Sequence, residues 1–138
     1  MTTKVSVQHV DGMRFLASTE DNAVVVDAAR EGGGGGTALN APQMFAAAVG
    51  ACMCEFVANS CRLRDIVFDH LSVEIHYEAL EKPRRVGALT ATLHVQPPVP
   101  DDVKRRLVGV ARHATLLGTL RHPPEIDIRF ASDHESHE

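Results

Sequence analysis

Asn40-Ala41-Pro42-Gln43-Met44-Phe45-Ala46-Ala47-Ala48-Val49-Gly50-Ala51-Cys52-Met53-Cys54-Glu55-Phe56-Val57-Ala58-Asn59-Ser60 is the stretch on which the fold turns. Asn40 can cap a helix, because its side-chain oxygen can accept a hydrogen bond from a first-turn N–H that has no partner within the helix. Pro42 suits that first turn, where a missing N–H does no harm. From there to about Ser60 the sequence is rich in alanine and apolar on every side, and a helix apolar all round is a buried one. Ala46, Ala47, Ala48, Gly50 and Ala51 leave room for a close neighbour, and Gly50 costs about 1 kcal/mol in helix propensity against alanine, so tight packing is expected there. The apolar run from Phe45 to Cys54 ends at Glu55 and is shorter than the roughly 18 residues a membrane span needs. This reads as a core helix, with no transmembrane segment.

Upstream, Val5 and Val7, then Phe15 and Ala17, alternate with polar residues around Asp11-Gly12, the pattern of two strands joined by a tight hairpin turn. Ala23 to Ala28, with three successive valines, reads as a third strand. The glycine run Gly32 to Gly36 must be a loop. It precedes a helix, as phosphate-cradling loops do, but its third G-x-G-x-x-G position falls on Thr37 or Ala38, so a mobile loop or lid is expected instead.

Downstream, Phe68 to Tyr77 and Leu89 to Val95 alternate on either side of the turn signal Glu81-Lys82-Pro83 and predict two paired antiparallel strands. Pro97-Pro98-Val99-Pro100 breaks the second of them. Asp101 or Asp102 then opens a helix favourably for its dipole, with an inner stripe of Val103, Leu107, Val110, Ala111, Ala114 and Leu117 and a stop at Gly118. Glu125 to Phe130 reads as a last strand, and residues 131–138 as a disordered polar tail. The order β-β-β-α-β-β-α-β over residues 1–130 is a single α+β domain whose helices cover antiparallel sheet. One small sheet cannot cover a helix that is apolar all round, so a homodimer sharing this helix is expected.

With 138 residues, 44% hydrophobic and 23% charged, the chain has the balance of an ordinary globular protein. A folded surface of roughly 7,000 Å² is expected, enough burial for a core without disulfide staples. The net charge of −4 and an aromatic share of 4% without tryptophan argue against a nucleic-acid partner, which needs phosphate neutralisation and stacking platforms. The N-terminal residues lack a basic start followed by an apolar stretch, so a cytoplasmic location with reduced thiols is expected. An odd count of cysteines, Cys52, Cys54 and Cys61, does not make a disulfide framework. Cys52 and Cys54 have no second Cys or His pair at zinc spacing, and most of the eight histidines read as surface residues, so neither a metal nor a cofactor is expected.

On a helix, positions two apart lie about 200° apart around the axis. Cys54 and Cys61 therefore share a face while Cys52 looks the other way. Each of the three reads either as a small core hydrophobe or as a reactive thiol. Reaction with a peroxide requires the thiolate, and mid-helix Cys52 is too far from the N-terminus for the helix dipole to help much. It needs a nearby cation, and Arg14 on the early hairpin serves if that hairpin folds over the helix.

The segment Gly36-Thr37, then Asn40 to Met53, resembles the central helix of the OsmC/Ohr family, with its glycine, its Asn-Pro-Glu-like start and its small-residue helix leading to a reactive cysteine. Ala111 to Leu120, with Pro123-Pro124-Glu125-Ile126 after it, is similar to that family's second helix and final strand. Asp11-Gly12-Met13-Arg14-Phe15 and Val26-Asp27-Ala28 extend the likeness over nearly the whole chain. The resemblance implies antiparallel sheets wrapped around central helices in an intertwined homodimer, with active sites at the interface. It also implies reduction of organic hydroperoxides, by a first cysteine that attacks, an arginine and a glutamate that hold it as thiolate, and a second cysteine that resolves the sulfenic acid. Cys52 falls on the first cysteine and Arg14 on the arginine. The glutamate position is Pro42, whose nearest polar neighbour, Gln43, supplies no carboxylate, and the second cysteine position is Ala114. Two readings follow. One is a one-cysteine thiol peroxidase that uses an external thiol reductant. The other is a catalytically degenerate dimer that binds an apolar small molecule at its interface pocket.

Overall fold

The computed structural model describes residues 2–132. Strands β1 (Ser6–Asp11), β2 (Arg14–Ser18) and β3 (Ala23–Asp27) form an antiparallel meander. A 3₁₀ turn at Arg30–Gly32 and the rest of the glycine run lead to the long helix α1 (Ala41–Leu63). β4 (His70–Glu81) and β5 (Arg84–Gln96) make a separate two-stranded antiparallel sheet, followed by α2 (Asp101–Ala111) and α3 (Thr115–Arg121). The α+β class and the antiparallel pairings are those the sequence predicts.

α1 starts as the sequence requires. The Asn40 side chain accepts from Gln43 N–H at 2.9 Å, and Gln43 Oε1 accepts from Asn40 N–H at 3.0 Å, a reciprocal capping box with Pro42 in the first turn. At 23 residues and a mean hydropathy of 1.5, α1 is long and apolar enough to cross a bilayer, longer than the run ending at Glu55 suggests. Its packing, however, is that of a core helix. Ala46, Val49, Gly50, Met53, Val57 and Cys61 form a buried row that meets Leu107, Ala111 and Ala114, with Leu71, Val73 and Ile75 of β4 and Leu93 and Val95 of β5 around them. Full burial of a valine such as Val49 or Val57 stabilises by about 1.5–3 kcal/mol. Gly50 sits directly under β4, where an added Cβ would lie 3.1 Å from Ile75 Cδ1.

The other side of α1 is not covered within one chain, as expected of a helix too apolar for one small sheet to cover. Ala47, Ala48 and Ala51 are exposed, as are Phe45 and Leu63. A single chain covers only one face of α1. The surface of the chain is 10914 Å², more than half as large again as the roughly 7,000 Å² expected of a compact monomer of this mass.

Three expectations change. The second helix does not run to Gly118. It stops at Ala111, and Ala114 takes extended torsions as the N-cap of α3. His113 Nδ1 lies 2.8 Å from the Gly109 carbonyl oxygen, and Arg121 Nη1 donates to the Arg112 carbonyl at 2.7 Å. These side chains satisfy carbonyls that the helix break leaves free. Glu125 to Phe130 is extended but is not a strand, because it has no ladder partner among the described residues. The polar tail expected over 131–138 lies outside the described residues apart from Ala131 and Ser132. β4 and β5, conversely, run on to the turn, with Glu81 opposite Arg84. Backbone pairing continues there past the end of the apolar alternation.

The glycine run is not a free lid. It wraps the carboxylate of Asp27, which is 1% exposed. Thr37 Oγ1 donates to it at 2.6 Å, Thr37 N–H at 3.0 Å and Gly35 N–H at 3.2 Å. An added Cβ at Gly34 would fall 1.9 Å from the Ala28 carbonyl oxygen, so only glycine fits. The Thr37 hydroxyl and N–H, with Gly35 N–H, hold the Asp27 carboxyl below its usual range against the opposing effect of burial. A lowered carboxyl value in the folded state stabilises above the unfolded value of about 3.9, and that contribution disappears as pH falls through the folded value. Asp27→Asn is therefore expected to lower Tm at pH 7, with the gap to wild type closing below pH ~4. Thermal melts across pH check this, and a gap that widens in acid contradicts it.

Candidate functional site

Cys52 lies in the fourth turn of α1, half-buried, against the margin of the hydrophobic core. It precedes Met53 of the buried row by one residue, about 100° around the axis, and so stands off the face that meets β4. Phe45 and Phe56, seven residues before it and four after, share its side of the helix. Phe45 is among the exposed large apolar side chains.

Of the other two thiols, Cys61 is buried and Cys54 is half-buried like Cys52. Cys54 faces the β4 backbone at Val73, and burial pushes its thiol up, with the Glu55 charge adding in the same sense. Cys61 is fully buried in the core and is pushed up by burial as well. Both need the thiol form to remain comfortable there. The opposed orientation expected for Cys52 and Cys54 follows from the helix, and all three cysteines are free.

Arg14 opens β2 at the closed end of the first hairpin. Its guanidinium forms a two-pronged pair with Asp11, Nε donating to Oδ1 at 2.6 Å and Nη2 to Oδ2. Across the sheet it stands in register with Asp27. The pairing with Asp11 raises the Arg14 value further, so the group is a fixed cation. No hydrogen bond or ion pair joins Arg14 to Cys52 among the described residues. The meander meets α1 through β3, while Arg14 stands at the start of β2 with its guanidinium on Asp11.

Pro42 is in the first turn of α1, ten residues before Cys52 and about 15 Å along the axis. Gln43, the polar neighbour expected beside it, spends its side-chain oxygen on the capping box. Ala114 is buried in the same core cluster whose margin Cys52 touches. Among the described residues no three His, Cys, Asp or Glu side chains come together to hold a metal ion.

Two features escape a reading of the sequence. The first is the Asp27 cage, whose only linear signal is an acidic strand end placed ten residues before Thr37. The second is a groove of about 820 Å³ lined by residues 89–96 of β5, by Leu107 and Ala111 of α2, and by Leu117 and Met53. Strand and helix meet there only in three dimensions.

The OsmC-like protein family model matches residues 33–129. No curated protein matches the chain. Among solved structures, it is similar to an osmotic stress induced and detoxification response protein from Psychrobacter arcticus 273-4, at 20% identity and a TM-score of 0.80 over 86% of this chain and 88% of that one. An organic hydroperoxide resistance protein OsmC from Legionella pneumophila is 22% identical with a TM-score of 0.65, covering 88% of this chain and 90% of its own. The organic hydroperoxide resistance protein OhrB of Bacillus subtilis is 20% identical with a TM-score of 0.62, covering 89% and 93%. At such identities the likeness is one of fold.

Proposed function

The chain belongs to the OsmC-like family, and on that premise we propose that it reduces organic hydroperoxides through Cys52, with an external thiol as reductant. The Cys52 thiolate attacks the terminal oxygen of ROOH, the O–O bond breaks, and the leaving alkoxide takes up a proton to become ROH. Cys52 is left as a sulfenic acid. An external thiol attacks its sulfur and expels water, and a second external thiol displaces the Cys52 thiolate, releasing an external disulfide.

The observation that carries this reading is the position of Cys52. It is the one cysteine on the side of α1 away from β4, at the position the resemblance gives the reactive cysteine, while Cys54 faces β4 and Cys61 is buried in the core. Two relatives of similar fold are named for organic hydroperoxide resistance.

The working unit is a single domain over residues 1–130 in an intertwined homodimer. The large surface of the lone chain and the uncovered apolar side of α1 support it, since an obligate interface of more than roughly 2,000 Å² would absorb much of that excess. In the dimer the meander of one subunit lies over α1 of the other and brings Arg14 to Cys52, favouring the thiolate. Free cysteines suit a reducing cytoplasm.

A second reading, a degenerate dimer binding an apolar molecule at its interface, is favoured by the absence of a carboxylate at Pro42 and of a thiol at Ala114. The deciding experiment is alkyl hydroperoxide consumption with dithiothreitol or a dihydrolipoyl donor. Wild type is expected to turn over, with Cys52→Ser reduced to the uncatalysed rate. Equal rates for the two proteins overturn the peroxidase reading and leave the binding one.

A further inference from the structure

The closed end of the first hairpin is shaped to hold one guanidinium. His9 pairs with Phe15, and the next pair across the strands is Asp11 with Arg14, so Val10 has no partner. This is a β-bulge, two residues of β1 against one of β2, and bulges re-aim side chains. Regular pairing would set Val10 opposite Arg14. The bulge sets Asp11 there instead, and directly opposed residues share a face of the sheet. Gly12 takes positive φ at the turn. His9 braces it, with its ring edge-to-face on Phe15 at 5.4 Å and Nε2 2.8 Å from the Gly12 carbonyl oxygen.

The outcome is a fork. Arg14 Nε donates to Asp11 Oδ1 at 2.6 Å and Nη2 donates to Oδ2. A guanidinium has five N–H donors, and the two spent here lie along one side of it. The end edge formed by Nη1 and the outer N–H of Nη2 carries no hydrogen bond among the described residues, and the side chain is 40% exposed. Asp27 stands opposite Arg14 from β3, but its oxygens already accept from Gly35 N–H and from the Thr37 N–H and hydroxyl. It adds negative charge beside Arg14, while Asp11 supplies the direction. So exposed a pair adds little to stability. What a two-pronged fork gives is geometry.

We propose that Asp11 is a positioning residue for the chemistry at Cys52: it grips Arg14 by the Nε and Nη2 side and so presents the free Nη1/Nη2 edge to the Cys52 thiolate of the other subunit. Pro42 stands where the resemblance puts the carboxylate partner of that arginine, and Asp11 supplies from β1 a hold that α1 lacks. The two holds are complementary, since Asp11 ties the guanidinium to its own hairpin and a carboxylate at 42 would tie it to α1. This inference rests on the homodimer and peroxidase reading above.

Three variants are compared with wild type: Asp11→Asn, Arg14→Ala and the two combined. Asn-Gly suits a hairpin turn as well as Asp-Gly does, so the hairpin is kept, while an amide presents one acceptor where the fork needs two. The measurement is the pH dependence of Cys52 alkylation by iodoacetamide, read at Cys52 alone by fragment masses, which needs no peroxide turnover. Asp11→Asn is expected to raise the pH at which Cys52 reacts by about half a unit or more, an about threefold loss of thiolate near pH 7. Arg14→Ala is expected to raise it at least as far. The combined variant goes no further than Arg14→Ala, because Asp11 acts only through Arg14. A role in bracing the hairpin alone would lower Tm and leave the alkylation midpoint in place, and that result overturns the proposal. So does a midpoint that falls in Asp11→Asn, or an effect of Asp11→Asn that persists in full without Arg14. A midpoint unmoved by Arg14→Ala overturns it together with the placement of Arg14 at Cys52. The peroxidase reading is judged separately, by hydroperoxide consumption in Cys52→Ser, and if it fails the alkylation series still decides the role of Asp11.

Discussion

Treated with excess alkyl hydroperoxide and no reductant, the protein is expected to gain about 16 or 32 mass units on Cys52 rather than lose about two, because a sulfenic or sulfinic acid forms there and no intrachain disulfide follows. A sulfenic acid becomes a disulfide only when a second thiol reaches its sulfur with the right geometry. Cys54 does not: two helical positions point about 200° apart, and its thiol is turned to the Val73 backbone. Cys61 is nine residues further along α1, about 13.5 Å of helix rise, beyond the roughly 7 Å between Cα atoms that a disulfide tolerates. Ala114, where the resemblance puts the family's second cysteine, is buried and offers no reactive group. Intact-mass analysis with peptide mapping reads the outcome. A loss of about two mass units with Cys52 and a second cysteine both blocked would falsify this assignment of positions. On the peroxidase reading, turnover would depend wholly on the external thiol, and Cys52 would overoxidise when the thiol runs short.

Local signals in the sequence were legible where a short-range rule governs them. The capping box at Asn40 and Gln43, the hairpin at Asp11-Gly12 and the pairing of β4 with β5 each follow from residues a few positions apart. The break between α2 and α3 was not legible, because the apolar stripe from Val103 to Leu117 continues across it. His113 and Arg121 reach back to carbonyls that the interruption leaves free, and no periodicity reports that. The fate of residues 125–130 shows a different limit. Their alternation asks for a strand, yet they join no sheet among the described residues. The site divides in the same way. Cys52 is legible from its helix, and its separation from Cys54 and Cys61 follows from counting residues. The position of Arg14 depends on where a whole meander lies, and within one chain that arginine is held by Asp11.

The glycine run shows how a composition rule can be right about the loop and wrong about its behaviour. Five glycines imply chain freedom, yet the folded loop is bound to a buried carboxylate through three hydrogen bonds. Glycine is required at Gly34 by the closeness of the Ala28 carbonyl and at Gly33 and Gly36 by positive φ. The loop thereby fixes the spacing between β3 and the capped start of α1. In the proposed homodimer that spacing would set how the meander is presented to the other subunit, which would link the buried Asp27 to the assembly of the proposed site.

Restoring both missing partners is expected to raise hydroperoxide turnover on the order of tenfold or more, and more than the product of the single effects, because Pro42→Glu and Ala114→Cys act on successive steps. A glutamate at 42 would add a carboxylate that can fix the guanidinium of Arg14 in the dimer and so favour the Cys52 thiolate. It would also place negative charge in the first turn of α1, which has none, a change favourable to the helix dipole by about 0.3–1 kcal/mol. A cysteine at 114 would enter the core cluster whose margin Cys52 touches, at the N-cap of α3. With one substitution alone the unaided step still limits: faster oxidation waits for the external thiol, or a ready resolving thiol waits for slow oxidation. Steady-state rates at fixed dithiothreitol, with the four proteins compared in one series, measure the coupling directly. The Ala114→Cys proteins should also now lose about two mass units on oxidation. If the double variant is no faster than wild type while that disulfide forms, Cys52 oxidation is limited elsewhere and the degenerate, ligand-binding reading gains the stronger claim.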